Sequence, residues 1–268
     1  MDRQRVLQAF YSYTDNYDSN NLQIRNKKRH TLHVADNSEF IAKELRLSEN
    51  DVDLAWLIGI LHDIGRFEQV KQINGYNDRT GLDHAELGVK ILFQERLIER
   101  FIDSVHDEDI MRSAISYHNR LNLPQNLNDR DYLFCNIIRD ADKADNFRGF
   151  HENDFVSFHE RTIEEVQQSE ISDGVMNCFR EHRTIPVEIV RTAADFFLIP
   201  FALYFGIVFD CSLEMVKNQG YYKRMLDFSF QDEKKQSRFE MIKHEIAEYM
   251  GSRAVGPSSI LLDGSKDG

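Results

Sequence analysis

Apolar residues along this chain recur three and four positions apart rather than every second position, so the pattern predicts helices and gives no convincing strand. The first predicted helix covers about residues 2–13 and ends in the polar stretch Asp15-Asn16-Tyr17-Asp18-Ser19-Asn20-Asn21. A second runs through Lys27-Lys28-Arg29-His30-Thr31-Leu32-His33-Val34 to Leu45, with Val34, Ile41 and Leu45 on one stripe. Ser48, followed three residues later by Asp51, caps a third. There Leu54, Ala55, Trp56, Leu57, Ile58, Ile60 and Leu61 leave almost no polar face, which predicts a central, buried element. The run ends in His62-Asp63-Ile64-Gly65-Arg66-Phe67. An ionised carboxylate at the end of a buried helix is costly unless a cation, a donor or a metal meets it. Gly65 is placed to stop that helix in a left-handed conformation, leaving His62 and Asp63 at the lip of the core.

A loop through Asn74-Gly75-Tyr76-Asn77-Asp78 reaches Gly81, and Asp83 caps a fourth helix that begins at His84 and continues to about residue 101. A fifth, roughly 107–117, ends at His118-Asn119. The sixth starts near Asp129 and carries the stripe Leu133, Phe134, Ile137, Ile138 and Ala141 into Asp140-Ala141-Asp142-Lys143. Further helical segments are predicted at 163–168, 175–182, 187–209, 213–226 and 234–250. The apolar run 196–209 contains Pro200 and Gly206 and falls short of the roughly 20 residues needed to cross a bilayer, so it reads as a kinked core helix. The expected fold class is all-α. Residues 1–183 form the core, 184–250 are C-terminal helices packed on it as one domain, and 251–268, rich in Gly, Pro and Ser, are expected to be a poorly ordered tail.

Composition narrows the function. With 41% hydrophobic residues among 268, the chain can bury a real core, and its formal net charge of −12 argues against an extended nucleic-acid surface. Its three cysteines, Cys135, Cys178 and Cys211, have no C-x-x-C spacing, which suggests neither a disulfide framework nor a zinc ribbon. The opening residues lack a signal-peptide core, and the expectation is a cytoplasmic protein without membrane contact.

The polar residues at the ends of the apolar segments are His33, His62, Asp63, His84, His118 and Asp142, from five predicted helices. Inward-facing ligands from several helices are how a bundle surrounds a metal in its core. Imidazole and carboxylate without thiolate suit manganese, iron, magnesium or zinc.

This ordered series, with Leu61-His62-Asp63-Ile64-Gly65-Arg66, His84-Ala85-Glu86-Leu87-Gly88 and Arg139-Asp140-Ala141-Asp142-Lys143, resembles the HD superfamily of metal-dependent phosphohydrolases over about residues 26–150. The resemblance implies an HD-domain helical bundle with a helical C-terminal extension and one or two divalent ions. It implies His33, His62, Asp63 and Asp142 on the first ion, and His84 and His118 on a second, with Asp63 bridging. Asp142 is preferred to Asp140 because the family's last ligand directly precedes a Lys or Arg, here Lys143. The implied activity is hydrolysis of a phosphomonoester, phosphodiester or phosphoanhydride bond in a small phosphorylated substrate, a nucleotide by preference, through metal-activated water. Asp63, Arg66 and Lys143 would be catalytic, with Arg66, Lys143 and Arg29 contacting phosphate. His30, His106, His151, His159, His182 and His244 receive no role. Arg66 stands where the deoxynucleoside monophosphatase and alarmone hydrolase branches carry glutamate, and Gly75-Tyr76-Asn77 lacks the proline of the cyclic-dinucleotide branch. The alternative is a non-catalytic, metal-containing nucleotide sensor. Either reading is compatible with a homo-oligomer.

Overall fold

The computed structural model describes residues 1–76, 78, 81–103, 106–152 and 161–253, without the side chains of 151 and 152. Among the described residues there is no strand. The first half contains α1 (Arg3–Thr14), α2 (Leu22–Glu44), α3 (Glu49–Leu61), α4 (Ile64–Ile73), α5 (His84–Val89), α6 (Glu108–Tyr117) and α7 (Asp129–Glu152). The second contains α8 (Ile163–Gln168), α9 (Asp173–Arg180), α10 (Ala193–Leu198), α11 (Asp210–Gln219), α12 (Tyr221–Met225) and α13 (Glu233–Ser252).

Helix α3 is the hub, as its all-round apolar sequence requires. Trp56, Leu57, Ile58, Ile60 and Leu61 are all buried, and full burial of such a side chain is worth about 1.5–3 kcal/mol. Its Ser48 cap accepts from Asp51 N–H, satisfying one free donor of the first turn. Helix α2 packs along both α3 and α7. The α2–α3 crossing is close because residue 59 is glycine: a Cβ there would lie 2.5 Å from Ala35 Cα.

The junction after α3 differs from the expected helix stop. His62 keeps right-handed backbone angles, Asp63 is the single irregular residue, and α4 begins at once with Ile64. Gly65 has no left-handed φ. It lies in the first turn of α4 against α5, where a Cβ would meet His84 O at 2.1 Å and Gly88 N at 2.6 Å. Glycine is required here for the approach of two backbones, and that approach carries His84 to Asp63. Gly65→Ala is therefore expected to lose about 1–3 kcal/mol of stability through overpacking, measured by denaturant unfolding. Wild-type stability in this variant would show that α5 shifts freely.

Three long predicted helices are broken. The fourth is α-helical only to Val89, followed by a π-turn over Lys90–Gln94, Arg96 at φ 62° and a 3₁₀ turn over Leu97–Arg100. Ile91, Leu92 and Phe93 are all buried, and three consecutive residues fit one side of a wider turn better than one α-helical face. Region 187–209 divides into a 3₁₀ turn (Val187–Ile189), α10 and a second 3₁₀ stretch (Pro200–Gly206). Pro200 lacks the N–H that would continue α10. Gly220, at φ 72°, separates α11 from α12.

The apolar core runs continuously from α1 to α13. Helix α7 packs against α2 and α6 and also against the 3₁₀ stretch Pro200–Gly206, α11 and α12. Buried Asp140 fastens these elements, accepting N–H bonds from Val208 at 3.0 Å and Phe209 at 2.9 Å. Gly251 and Ser252, expected to open the tail, still belong to α13, while 254–268 fall outside the described residues. No helix among the described residues is long and apolar enough to cross a membrane.

Candidate metal centre

The α3–α4 junction points the buried Asp63 carboxylate to the place where α2, α5, α6 and α7 converge. Its two oxygens face different partners. Oδ2 lies 3.3 Å from His62 Nε2, 3.5 Å from His30 Nε2 and 2.6 Å from Lys27 Nζ. Oδ1 lies 3.4 Å from His84 Nε2, 3.7 Å from His118 Nε2 and 3.7 Å from Arg66 Nε. Asp142 Oδ1, arriving from α7, is 3.1 Å from His30 Nε2. Two ligand groups result, His30-His62-Asp63 and Asp63-His84-His118, with the ligand atoms of each group within 4.8 Å of one another.

Local structure fixes each ring. His62 and His118 cap the C-termini of α3 and α6, and their Nδ1 atoms lie 2.8 Å from Gly59 O and 2.7 Å from Ile115 O. A carbonyl oxygen only accepts, so each Nδ1 carries the hydrogen and each Nε2 presents a lone pair. His84 Nδ1 is 2.8 Å from Asp78 Oδ1, and His30 Nδ1 is 2.7 Å from Asp145 Oδ2. Asp145 is in turn gripped by Arg148 Nε and Nη2 at 2.6 and 2.7 Å. Burial opposes ionisation of Asp145, but His30 and Arg148 outweigh it and hold its pKa at about 2. Carboxylates behind ligating imidazoles set tautomer and orientation in metal sites.

The donor set suits a divalent cation. His84 Nε2 and His118 Nε2 are 2.9 Å apart, and with both hydrogens on Nδ1 two lone pairs face each other, an arrangement that a cation relieves. Nε2 of His62 is buried without a hydrogen-bond partner. Burial lowers the pKa of His62, and burial with Arg66 lowers that of His84 to about 4, so both rings are neutral and ready to ligate at pH 7. His30 is the exception. Burial and Lys27 oppose its charge, yet Asp142, Asp145 and Asp63 together raise its pKa to about 10.

Of the residues proposed from sequence, His62, Asp63, His84, His118 and Asp142 come together here. His33 does not. It is exposed and interacts with Asp36, whereas His30, one turn earlier, enters the cluster. The signal was available: Val34 and Ile41 define the buried stripe of α2, and His30 lies 40° and 20° from them on the helical wheel, against 100° and 80° for His33, taking about 100° per residue.

Arg66 also departs from expectation. Its Nη1 donates to Gln69 Oε1, Tyr76 O and Asp78 Oδ1 at 2.7, 2.8 and 3.0 Å, and Nη2 donates to Asp78 Oδ2 at 3.3 Å. The guanidinium is thereby committed to the loop that positions Asp78 behind His84. Lys143 Nζ is buried without a hydrogen-bond partner, 3.7 Å from Asp140 Oδ1, and its Cε abuts Gly206. It thus faces the C-terminal elements, where burial lowers its pKa to about 8 despite Asp140. Arg29 lies on the exposed face of α2, and Lys28 pairs with Asp15 at 2.7 Å. Sequence reasoning missed His30, Lys27, Asp78 and Asp145. A cleft of about 470 Å³ lined by Leu54, Leu57, Phe101 and Met111 includes none of these residues.

Residues 28–146 match the family model described as HD domain. Neither a curated protein nor a solved structure matches the chain. The matched segment contains His30, His62, Asp63, Asp78, His84, His118, Asp142 and Asp145. Residues 28–146 thus carry an HD domain, which supports placing the chain among HD-superfamily proteins.

Proposed function

We propose that this protein is a metal-dependent phosphohydrolase that cleaves a phosphate ester or anhydride bond in a small phosphorylated substrate, with nucleotides as the leading class. One observation carries the reading: four imidazole Nε2 atoms surround the two oxygens of a single buried carboxylate, while all four Nδ1 atoms are engaged behind them. His30, His62, Asp63 and Asp142 would hold a first ion, and Asp63, His84 and His118 a second. A divalent ion so held acidifies bound water and stabilises charge on phosphoryl oxygens.

The chain's own residues orient and enclose. Asp78 and Asp145 fix two rings by carboxylate contacts, and Gly59 O and Ile115 O fix the other two. Asp142 and Lys27 keep 22% and 17% side-chain exposure, whereas Asp63, His62, His84 and His118 are buried. The open side thus lies between α2 and α7, and a substrate phosphate enters there.

The test is release of phosphate or nitrophenol by chelator-treated protein with and without Mn²⁺. The substrates are nucleoside mono-, di- and triphosphates, p-nitrophenyl phosphate and bis(p-nitrophenyl) phosphate. Turnover that depends on added Mn²⁺ is expected for at least one of them. Tight nucleotide binding by Mn²⁺-loaded protein with no product from any substrate would contradict hydrolysis and make the chain a sensor.

A further inference from the structure

We propose that Lys27 is a resident cation of the first half-site, seated on Asp63 until a divalent ion displaces it. The inference rests on the metal centre of the proposed function and adds a built-in competitor for it.

Lys27 precedes His30 by three residues and shares its face of α2. Its ammonium reaches inward to Asp63 Oδ2 at 2.6 Å. That same oxygen faces His62 Nε2 and His30 Nε2 at 3.3 and 3.5 Å. A divalent ion drawing on Oδ2 and these two nitrogens has to enter the space in front of the oxygen, where Nζ now lies. Two cations in contact with one buried oxygen repel strongly in a medium of low polarity, so Nζ must withdraw.

Lys27 is built to withdraw, and its counterpart is not. On the other side of the carboxylate, Arg66 Nε lies 3.7 Å from Oδ1, but its guanidinium is locked by Gln69, Tyr76 O and Asp78. Lys27 carries a compact charge on a flexible four-carbon stem. Its side chain is 17% exposed, and its other described contact is the Tyr76 ring at 5.5 Å. Rotation of the stem carries the ammonium to solvent without breaking another hydrogen bond among the described residues.

The consequence is thermodynamic. Lys27 stabilises the metal-free protein by compensating a buried carboxylate, and it stabilises the loaded protein less. Linkage then requires that removing Lys27 tightens metal binding.

In Lys27→Met, equilibrium dialysis should find Mn²⁺ bound roughly tenfold more tightly than in wild type, within the usual range of such couplings. The melting temperature of the metal-free protein should fall, while that of the Mn²⁺-loaded protein should match wild type. Lys27→Arg, which keeps the charge, should restore metal-free stability without the gain in affinity. Should Lys27→Met fold poorly, NMR of ¹⁵N-lysine-labelled wild type gives an independent readout: one protected ammonium signal is expected in metal-free protein and should vanish on adding Mg²⁺ or Zn²⁺. Unchanged or weaker Mn²⁺ binding by folded Lys27→Met, or an ammonium signal indifferent to metal, would overturn displacement while leaving the metal centre intact. Wild-type protein that binds no divalent ion would overturn both.

Discussion

Replacing His30 with alanine should weaken divalent-metal binding by at least about 100-fold, more than is usual for loss of an outer-shell partner, whereas His33→Ala should bind as wild type. The contrast follows from the two faces of α2. His30 Nε2 lies 3.1 Å from Asp142 and 3.5 Å from Asp63, with Asp145 behind its other nitrogen. His33 is exposed. The alanine at position 30 would also leave Asp142 and Asp145 without their shared imidazole. Isothermal titration with Mn²⁺ on the two variants decides the matter, and equal losses, or a larger loss at position 33, would refute the assignment.

Asp63→Asn should have a larger effect, since it removes the group common to both ligand triads. Metal content is expected to fall to background at both half-sites, and Mn²⁺-dependent turnover with it. The metal-free protein should lose stability too, because Lys27 Nζ at 2.6 Å and Arg66 Nε at 3.7 Å would face a neutral amide. Breaking a buried ion pair costs about 3–5 kcal/mol, and the lower end applies here because Lys27 can swing to solvent. Metal analysis after chelation and reloading, together with denaturant unfolding, reads both consequences. A variant that retained one full equivalent of metal would show that Asp63 is not the shared ligand.

Several features of this arrangement were legible in the sequence for physical reasons. Helical periodicity and the all-round apolar surface of α3 dictate an all-α fold with that helix at its centre. A buried His62-Asp63 pair requires partners, and two of them lie at helix termini, where His84 opens α5 and His118 closes α6, whereas His30 and Asp142 lie within α2 and α7. Asp142 faces His30, while Asp140 accepts from Val208 and Phe209.

What remained illegible depended on side-chain direction or on contacts between distant segments. Lys143 follows Asp142 in sequence, but one residue is about 100° of rotation on a helix, and its ammonium therefore meets Asp140 and Gly206. Arg66, expected at a substrate phosphate, donates to Asp78 and Tyr76 O, which lie in a loop beyond α4 that local sequence does not place beside it. Gly65 suggests a left-handed stop in isolation, and only the approach of α5 explains it otherwise. The buried stripe of Val34 and Ile41 favours His30 over His33 as the inward-facing ring of α2.

Anomalous diffraction from crystals soaked in Mn²⁺ tests whether one buried carboxylate and the imidazoles around it hold a metal. A peak is expected within ligand distance of His30 Nε2, His62 Nε2, Asp63 and Asp142, with any second peak between Asp63, His84 and His118. A peak at His33, or full soaking with no peak in contact with Asp63, would contradict it.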